Sequence, residues 1–328
     1  MKLGILIGRF QVPEMHEGHR FLVREIQSQC DKVLILFGSA NRTRSVKNPF
    51  TYRERAEATK RLFPEVICAP LNDYPYNDSQ WMADVAATID HVVDILCKEN
   101  DICPVPILYG HHKDGNDYLK WFPQFEYVNI NSEIDISGTE VRNSHKHLLP
   151  ESVQIDMEYF AKEKDMFKNY PFPEALNINC GDAVLECSGH ILLIKRGRSP
   201  GMGNWALPGG HKNTNETFLQ CALRELVEET NIRIPERVLI GSIERTYLFD
   251  SPTRSSGIPK STLAVHIVVK PDPNGSLPRA NGQDDAVETR WVPISDILNK
   301  YRMHDDHGDI ISEMTGVMPK IAFANEDI

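Results

Sequence analysis

Apolar residues in the first half of the chain come in short unbroken runs, separated by segments with helical spacing. LGILIG (3–8), KVLILFG (32–38), EVICAP (65–70) and VPILYG (105–110) have the length and content of strands buried on both faces. Between them the spacing predicts helices over about 18–29, 51–63 and 78–98. Strand, helix, strand in this order implies right-handed βαβ units and a parallel sheet with helices on both faces. From about Asn177 the rhythm changes. DAVLEC (182–187) and HILLIKR (190–196) read as a strand pair around Ser188-Gly189. VLIGSIERTYLF (238–249) and STLAVHIVVK (261–270) read as longer strands, and 216–230 as one strong helix. The expected architecture is an α/β domain with a parallel sheet followed by an α+β domain with a mixed sheet. FKNYPFPEAL (167–176), with Pro171 and Pro173, is the predicted linker, so the domains are expected over 1–170 and 175–328.

Composition narrows the partners. The 328 residues suffice for two cores, and 36 basic against 46 acidic residues leave a net charge of −10. So acidic a surface argues against nucleic acid or an anionic membrane as the main partner. It leaves room for an anionic small substrate in a cleft with its own local field. No apolar run approaches the ~20 residues of a membrane span. The seven cysteines are odd in number and form no C-x-x-C pair. With a start that turns polar by Arg9, they are expected to be reduced thiols in a cytoplasmic protein.

The stretch GRFQVPEMHEGHR (8–20) runs from the end of a predicted strand, Gly8, through Arg9 and Phe10, to the mouth of a helix carrying His16 and His19. Open parallel sheets bind ligands at the carboxyl ends of their strands. Free N–H groups at a helix start suit phosphate there, and two imidazoles and an arginine would add donors. A single loop histidine is usually a surface residue; His-x-Gly-His after such a strand is a different matter.

This arrangement resembles the nucleotidyltransferases with a His-x-Gly-His signature, which share a Rossmann-like fold. GSANRTRSVKNPFTYRER (38–55), YNDSQWMADV (76–85), ISGTEVR (136–142) and LLPES (148–152) narrow the resemblance to nicotinamide mononucleotide adenylyltransferases of the archaeal type. It covers nearly all of 1–155. One departure is a loop before His16 two residues longer than the family usually has, through VPEM. The resemblance implies adenylyl transfer from ATP to nicotinamide mononucleotide, giving NAD and pyrophosphate. It also implies that His16, His19 and Arg142 hold the ATP phosphates with Mg²⁺, and that Gly8, Arg9, Phe10, Ser137 and Thr139 line the nucleotide. Trp81 would stack on nicotinamide, and Lys47 and Asn48 would lie near the mononucleotide. Two plainer readings stand beside these: SGTE as a helix capping box, and Trp81 as a core aromatic. GHHKDGNDY (110–118) is a further polar candidate for ribose or adenine.

Glu225, Glu228 and Glu229 pose a separate question. At i, i+3 and i+4 they share one helix face, where like charges destabilise by a few tenths of a kcal/mol per pair. Either the face is solvated or a hard divalent cation sits among them. The surrounding GNWALPGGHKNTNETFLQCALRELVEETNI resembles the Nudix hydrolase signature through Gly210, Glu216, Arg224, Glu225, Leu226, Glu228, Glu229 and Ile232. Asn231 stands where the signature has glycine, at a helix end where a left-handed residue is expected. The resemblance implies Mg²⁺ or Mn²⁺ on Glu225, Glu228 and Glu229, with Glu225 and Glu229 catalytic and Arg224 orienting a glutamate of the box. Arg196 and Arg198 precede the signature and are placed to meet an anionic ligand. Glu288 and the loop MHDDHGD (303–309), with Asp305, Asp306 and His307, are the candidate sources of a general base. Fusions of the two families imply hydrolysis of ADP-ribose to AMP and ribose 5-phosphate. Other readings stay open: another nucleoside diphosphate derivative as substrate, a metabolite-sensing second domain without catalysis, or a different pyridine or pantetheine nucleotidyltransferase in the first.

Overall fold

The sheet of the first half is built outward from its most apolar run. In the computed structural model, which describes residues 1–100, 102–110, 118–131, 134, 136–282 and 286–320, β1 (Lys2–Gly8) is followed by α1 (Glu17–Gln29), β2 (Lys32–Phe37), α2 (Tyr52–Leu62), β3 (Ile67–Pro70), α3 (Asp78–Asn100), β4 (Val105–Gly110), β5 (Glu126–Asn129) and α4 (Gly138–Ser144). The strands are all parallel, in the order β3-β2-β1-β4-β5. Period-two alternation divides the core. Val33, Ile35 and Phe37 of β2 pack on one face with Val23 and Ile26 of α1. Leu34 and Leu36 pack on the other with Val85 and Ile89 of α3. Each fully buried Leu or Ile contributes roughly 1.5–3 kcal/mol, so the sequence has little freedom to slip register. The order reverses between β1 and β4, and this switch point lies where the chain leaves Gly8.

The chain continues with α5 (Glu151–Met166), β6 (Ile178–Cys187), β7 (His190–Arg196), β8 (Trp205–Ala206), β9 (Gly209–His211), α6 (Phe218–Thr230), α7 (Glu236–Gly241), β10 (Ile243–Phe249), β11 (Lys260–Val269), β12 (Ala286–Pro293), α8 (Ile294–Lys300) and α9 (His307–Thr315). The second sheet runs β10-β11-β6-β7-β12, with β9 on β6 and β8 on β7. It is mixed, because β11 pairs with β6 in parallel and the other pairs are antiparallel. The Ser188-Gly189 turn has both residues at positive φ, 50° and 73°, as a two-residue hairpin requires. α6 opens with a capping box between Thr217 and Gln220 and ends at Asn231 in the left-handed conformation, φ 47°, ψ 33°. Asparagine therefore fills the glycine position of the signature without a change of backbone.

Three expectations are corrected. The run 238–249 is not one strand: Val238–Gly241 lie in α7, which follows Pro235 with Glu236 in its first turn, and the strand begins at Ile243. A short apolar run does not distinguish the two states by itself. Compact units divide at Pro150/Glu151 and not near 170, with Met1–Pro150 joined by Lys320 in one and Glu151–Pro319 in the other. The reason is α5, whose Asp156 and Glu163 carboxylates accept hydrogen bonds from the backbone of Gly201 and Ile258. The cysteines are not all free thiols: Cys97 and Cys103 are joined as a disulfide, and the other five are free. Among the described residues no helix is long and apolar enough to cross a membrane.

Candidate functional site

At the end of β1 the backbone turns sharply. Phe10 takes a left-handed φ of 48°, uncommon for a bulky residue, and its buried ring packs edge-on to His19 at 4.7 Å and against Phe37 at 5.3 Å. His16 is the residue before α1, and its ring stacks on that of His19 with centroids 3.7 Å apart. Nδ1 of His19 is buried and, among the described residues, has no hydrogen-bond partner. Burial, then the neighbouring His16, lowers the His19 pKa to about 3, so the imidazole is neutral near pH 7. A neutral ring with an unspent nitrogen at a helix start is suited to bonding phosphate oxygen.

Arg142 reaches back to the same loop. It donates from Nη1 to the Gln11 carbonyl at 2.9 Å and from Nη2 to Thr139 Oγ1 at 3.0 Å. Burial and then the charge of exposed Arg9 lower its proton affinity. Two guanidinium groups that repel each other beside a loop of this kind are stabilised by an anion between them. Ser137 caps α4 reciprocally with Glu140, both bonds at 3.1 Å, so the capping-box reading of SGTE holds in this structure. The longer loop is spent on packing: Val12 and Met15 are buried, and the Met15 carbonyl accepts from Arg20 Nε at 2.7 Å.

Lys47 and Asn48 lie in the loop between β2 and α2, where Asn48 and Ser45 exchange hydrogen bonds of 3.1 and 3.2 Å. Oδ1 of Asn48 is buried without a partner among the described residues. Trp81 is half-buried on α3 against the core, edge-on to Trp121 at 6.2 Å. Part of its ring is thus spent on packing, as the plainer reading has it. Residues 111–117 of the GHHKDGNDY segment lie outside the described residues. Two buried side chains that the sequence reading passed over organise this end of the sheet. Gln11 Oε1 accepts from Phe50 N at 3.0 Å. Arg55, 3% exposed, donates to the carbonyls of Arg9 and Gly38 and so ties together the loops after β1 and β2. An arginine beside Ala56 and four residues before Thr59 on the inward face of α2 was the available signal.

The second candidate site is a cavity of about 570 Å³ lined by residues from α5, β7, β9, α6 and the 304–307 loop. Glu229 is 7% exposed, with Oε2 accepting from Gly209 N at 3.0 Å. Burial, with neighbouring Glu225 and Asp182 adding to it, raises its pKa to about 8, and burial also raises that of Glu225. Arg224 meets Glu216 through Nε and Nη2 at 2.9 and 2.7 Å and donates from Nη1 to Glu225 and Glu228 at 2.7 and 2.9 Å. The pairing lowers Glu216 to about 2 and raises Arg224. Arg224 therefore orients three carboxylates at once.

Two glycines make the close approach possible. A Cβ on Gly209 would lie 1.9 Å from Asp182 Oδ1, and one on Gly210 would lie 2.5 Å from the Glu225 carboxyl. No group of three or more His, Cys, Asp or Glu among the described residues already converges as a metal site. The donor set nevertheless fits a hard cation, because buried Glu229 and half-buried Glu225 are neighbouring carboxylates in one cavity wall, and burial raises the pKa of both. Asp182, 5% exposed in the middle of β6, joins them in the cavity wall and was missed by sequence reading. A lone aspartate beside the apolar run of a strand was its only signal.

Arg196 and Arg198 line the cavity, Arg196 donating from Nε to the Pro200 carbonyl at 2.9 Å. Glu288 does not line it; on β12 it pairs with Arg290. The two residues are two apart on one strand, so their side chains share a face and meet. The 303–309 loop does reach the cavity. Asp306 is held by Arg254 Nε and Nη2 at 2.9 and 3.0 Å, and His307 Nδ1 accepts from Leu207 N at 3.0 Å. Asp305, at a positive φ of 40°, is raised to about 6 by burial and then by Asp306.

Comparison with known proteins agrees with this division of labour. A cytidylyltransferase-like family model matches residues 5–144, and a NUDIX domain model matches residues 181–314. The nicotinamide-nucleotide adenylyltransferase of Methanococcus aeolicus is 29% identical over 191 residues, 52% of this chain and 98% of the relative. The ADP-ribose pyrophosphatase of Methanocaldococcus jannaschii is 33% identical over 132 residues, 40% of this chain and 69% of the relative. A crystal structure of a bifunctional NMN adenylyltransferase/ADP ribose pyrophosphatase from Francisella tularensis superposes with a TM-score of 0.83 at 26% identity, covering 96% of this chain and 98% of that one. That protein has also been solved with AMP and a Mn ion. Residues 5–144 thus match the cytidylyltransferase-like family, and over residues 181–314 the chain belongs to the Nudix family.

Proposed function

We propose that the chain is a bifunctional enzyme of NAD metabolism. Its first unit transfers the adenylyl group of ATP to nicotinamide mononucleotide, and its second hydrolyses ADP-ribose to AMP and ribose 5-phosphate. In the transfer, a 5′-phosphate oxygen of the mononucleotide attacks the α-phosphorus of ATP, and pyrophosphate leaves with the electrons of the broken P–O bond. Such a reaction needs positioning and charge neutralisation more than covalent help. His19 and His16 supply donors to the phosphates, Arg142 and Arg9 supply positive charge, and Arg55 fixes the loops that carry them. Lys47, Asn48 and Trp81 border the mononucleotide in this reading.

For the hydrolase the supporting observation is the single cavity that gathers Glu225, Glu229, Arg196 and the 304–307 loop over a glycine floor. Glu225, Glu229 and Glu228 would hold divalent cation, Mg²⁺ or Mn²⁺, which when bound neutralises pyrophosphate charge and activates water. Arg224 keeps Glu225 and Glu228 in place, and Arg196 and Arg198 bind the anionic ligand. Asp305, with its pKa near 6, is suited to accept a proton near neutrality.

The test is a substrate panel on the full chain. Mononucleotide and ATP should give NAD and pyrophosphate. ADP-ribose should show a higher kcat/KM than NAD, ATP or a dinucleoside polyphosphate, with turnover lost on chelation. A tenfold advantage for any other compound, about 1.4 kcal/mol in transition-state binding, would refute the substrate assignment. Binding of ADP-ribose without turnover of any compound would make the second unit a sensor.

A further inference from the structure

The helix α5 precedes the residues matched by the Nudix model, yet it is built into the cavity wall. It is anchored at both ends of two turns. Asp156 accepts from Gly201 N at 3.3 and 3.2 Å, and Glu163 accepts from Ile258 N at 3.0 Å with Lys260 Nζ 3.5 Å away. The loop before β11 is moulded on the helix: a Cβ on Gly257 would lie 2.0 Å from Glu163 Oε2 and 2.5 Å from the Phe160 ring. Positions 156, 159, 160 and 163 share one helix face, so these anchors also fix Tyr159 and Phe160 toward the cavity.

The two rings are used differently. Phe160 is 7% exposed and committed to packing, whereas Tyr159, edge-on to it at 5.5 Å, is 37% exposed. The rest of the lining is dominated by charged and imidazole side chains that suit a pyrophosphate and ribose. At about 570 Å³ the cavity has the size of a site for a whole nucleotide-sized ligand, and a nucleobase needs an apolar π-face. We infer that Tyr159 is a specificity-determining residue of the hydrolase, whose ring supplies the stacking surface for the adenine of the substrate. The inference rests on the hydrolase reading above and adds the residue that recognises the base.

The experiment uses the full chain with Mg²⁺, as wild type and as Tyr159→Ala, Tyr159→Phe and Tyr159→Trp. It measures kcat and KM for ADP-ribose and inhibition of that reaction by AMP, so that only the hydrolase site is read. Tyr159→Ala should raise KM and the AMP inhibition constant together by about tenfold or more, with kcat within about twofold, as for lost uniform binding. The Phe and Trp variants should restore both constants, which a hydroxyl-dependent role would not allow. KM and AMP inhibition unchanged in Tyr159→Ala, or no rescue by either aromatic variant, would overturn the inference. A fall in kcat alone would overturn it too. Wild-type protein inactive on ADP-ribose would refute the hydrolase reading itself, and is seen before any variant is compared.

Discussion

Burial sets opposite charge states in the two sites, one side chain at a time. His19 is kept neutral down to about pH 3, while Glu229 is held protonated up to about pH 8 until something compensates its charge. For His19 the consequence for stability has a definite sign. Its folded pKa lies below the unfolded value of 6.5, so below pH 6.5 the unfolded chain takes a proton that the folded chain refuses. Stability is complete above that value and is lost as pH falls toward 3. Replacing His19 by Gln should remove this penalty, so that the variant gains about 2 kcal/mol relative to wild type between pH 7 and pH 5. Urea titrations at the two pH values read it directly; parallel losses in both proteins would mean that His19 is not buried neutral. Both residues were legible because their motifs are local in sequence. Gln11, Arg55 and Asp182 were not, since what makes them functional is a contact to a distant segment. Arg142 meets Gln11 across 131 positions. Glu288 shows the converse: its partner Arg290 stands two positions along the same strand, and only the fold showed that this pair lies away from the cavity.

Among the elements, those with clear periodicity could be read directly. The parallel strands, α1 to α3, the β6–β7 hairpin and α6 follow from alternation, helical spacing and turn residues acting in agreement. α7 was misread because VLIG suits strand and helix alike, and Pro235 decided the matter by position. The end of α6 gives a local test. Asn231 holds φ at 47°, where a Cβ without a local hydrogen-bonding side chain is disfavoured. Asn231→Ala should cost about 1 kcal/mol, while Asn231→Gly should be close to neutral. Denaturant midpoints of the two variants give the comparison, and equal losses would show that the cap conformation is not what the position requires. α5 was invisible as part of the second unit, because a linker rich in proline follows it and attracts the boundary. Its membership depends on Asp156 and Glu163 finding backbone partners far along the chain.

On the scale of the whole molecule, the claim is that one chain carries two independent phosphate chemistries. One is built on a histidine pair, with His19 neutral, and on arginines at the end of a parallel sheet. The other is built on buried carboxylates over a glycine floor in a mixed sheet. The central measurement assays both reactions in two single variants of the full chain. His19→Ala should slow NAD formation by about 10²–10³-fold, the effect of removing one preorganised donor to a developing oxyanion, and leave ADP-ribose hydrolysis within about twofold. Glu229→Gln should slow hydrolysis by a similar factor and leave NAD formation untouched. A folded variant in which either substitution lowers both rates to the same extent would contradict the two-site account.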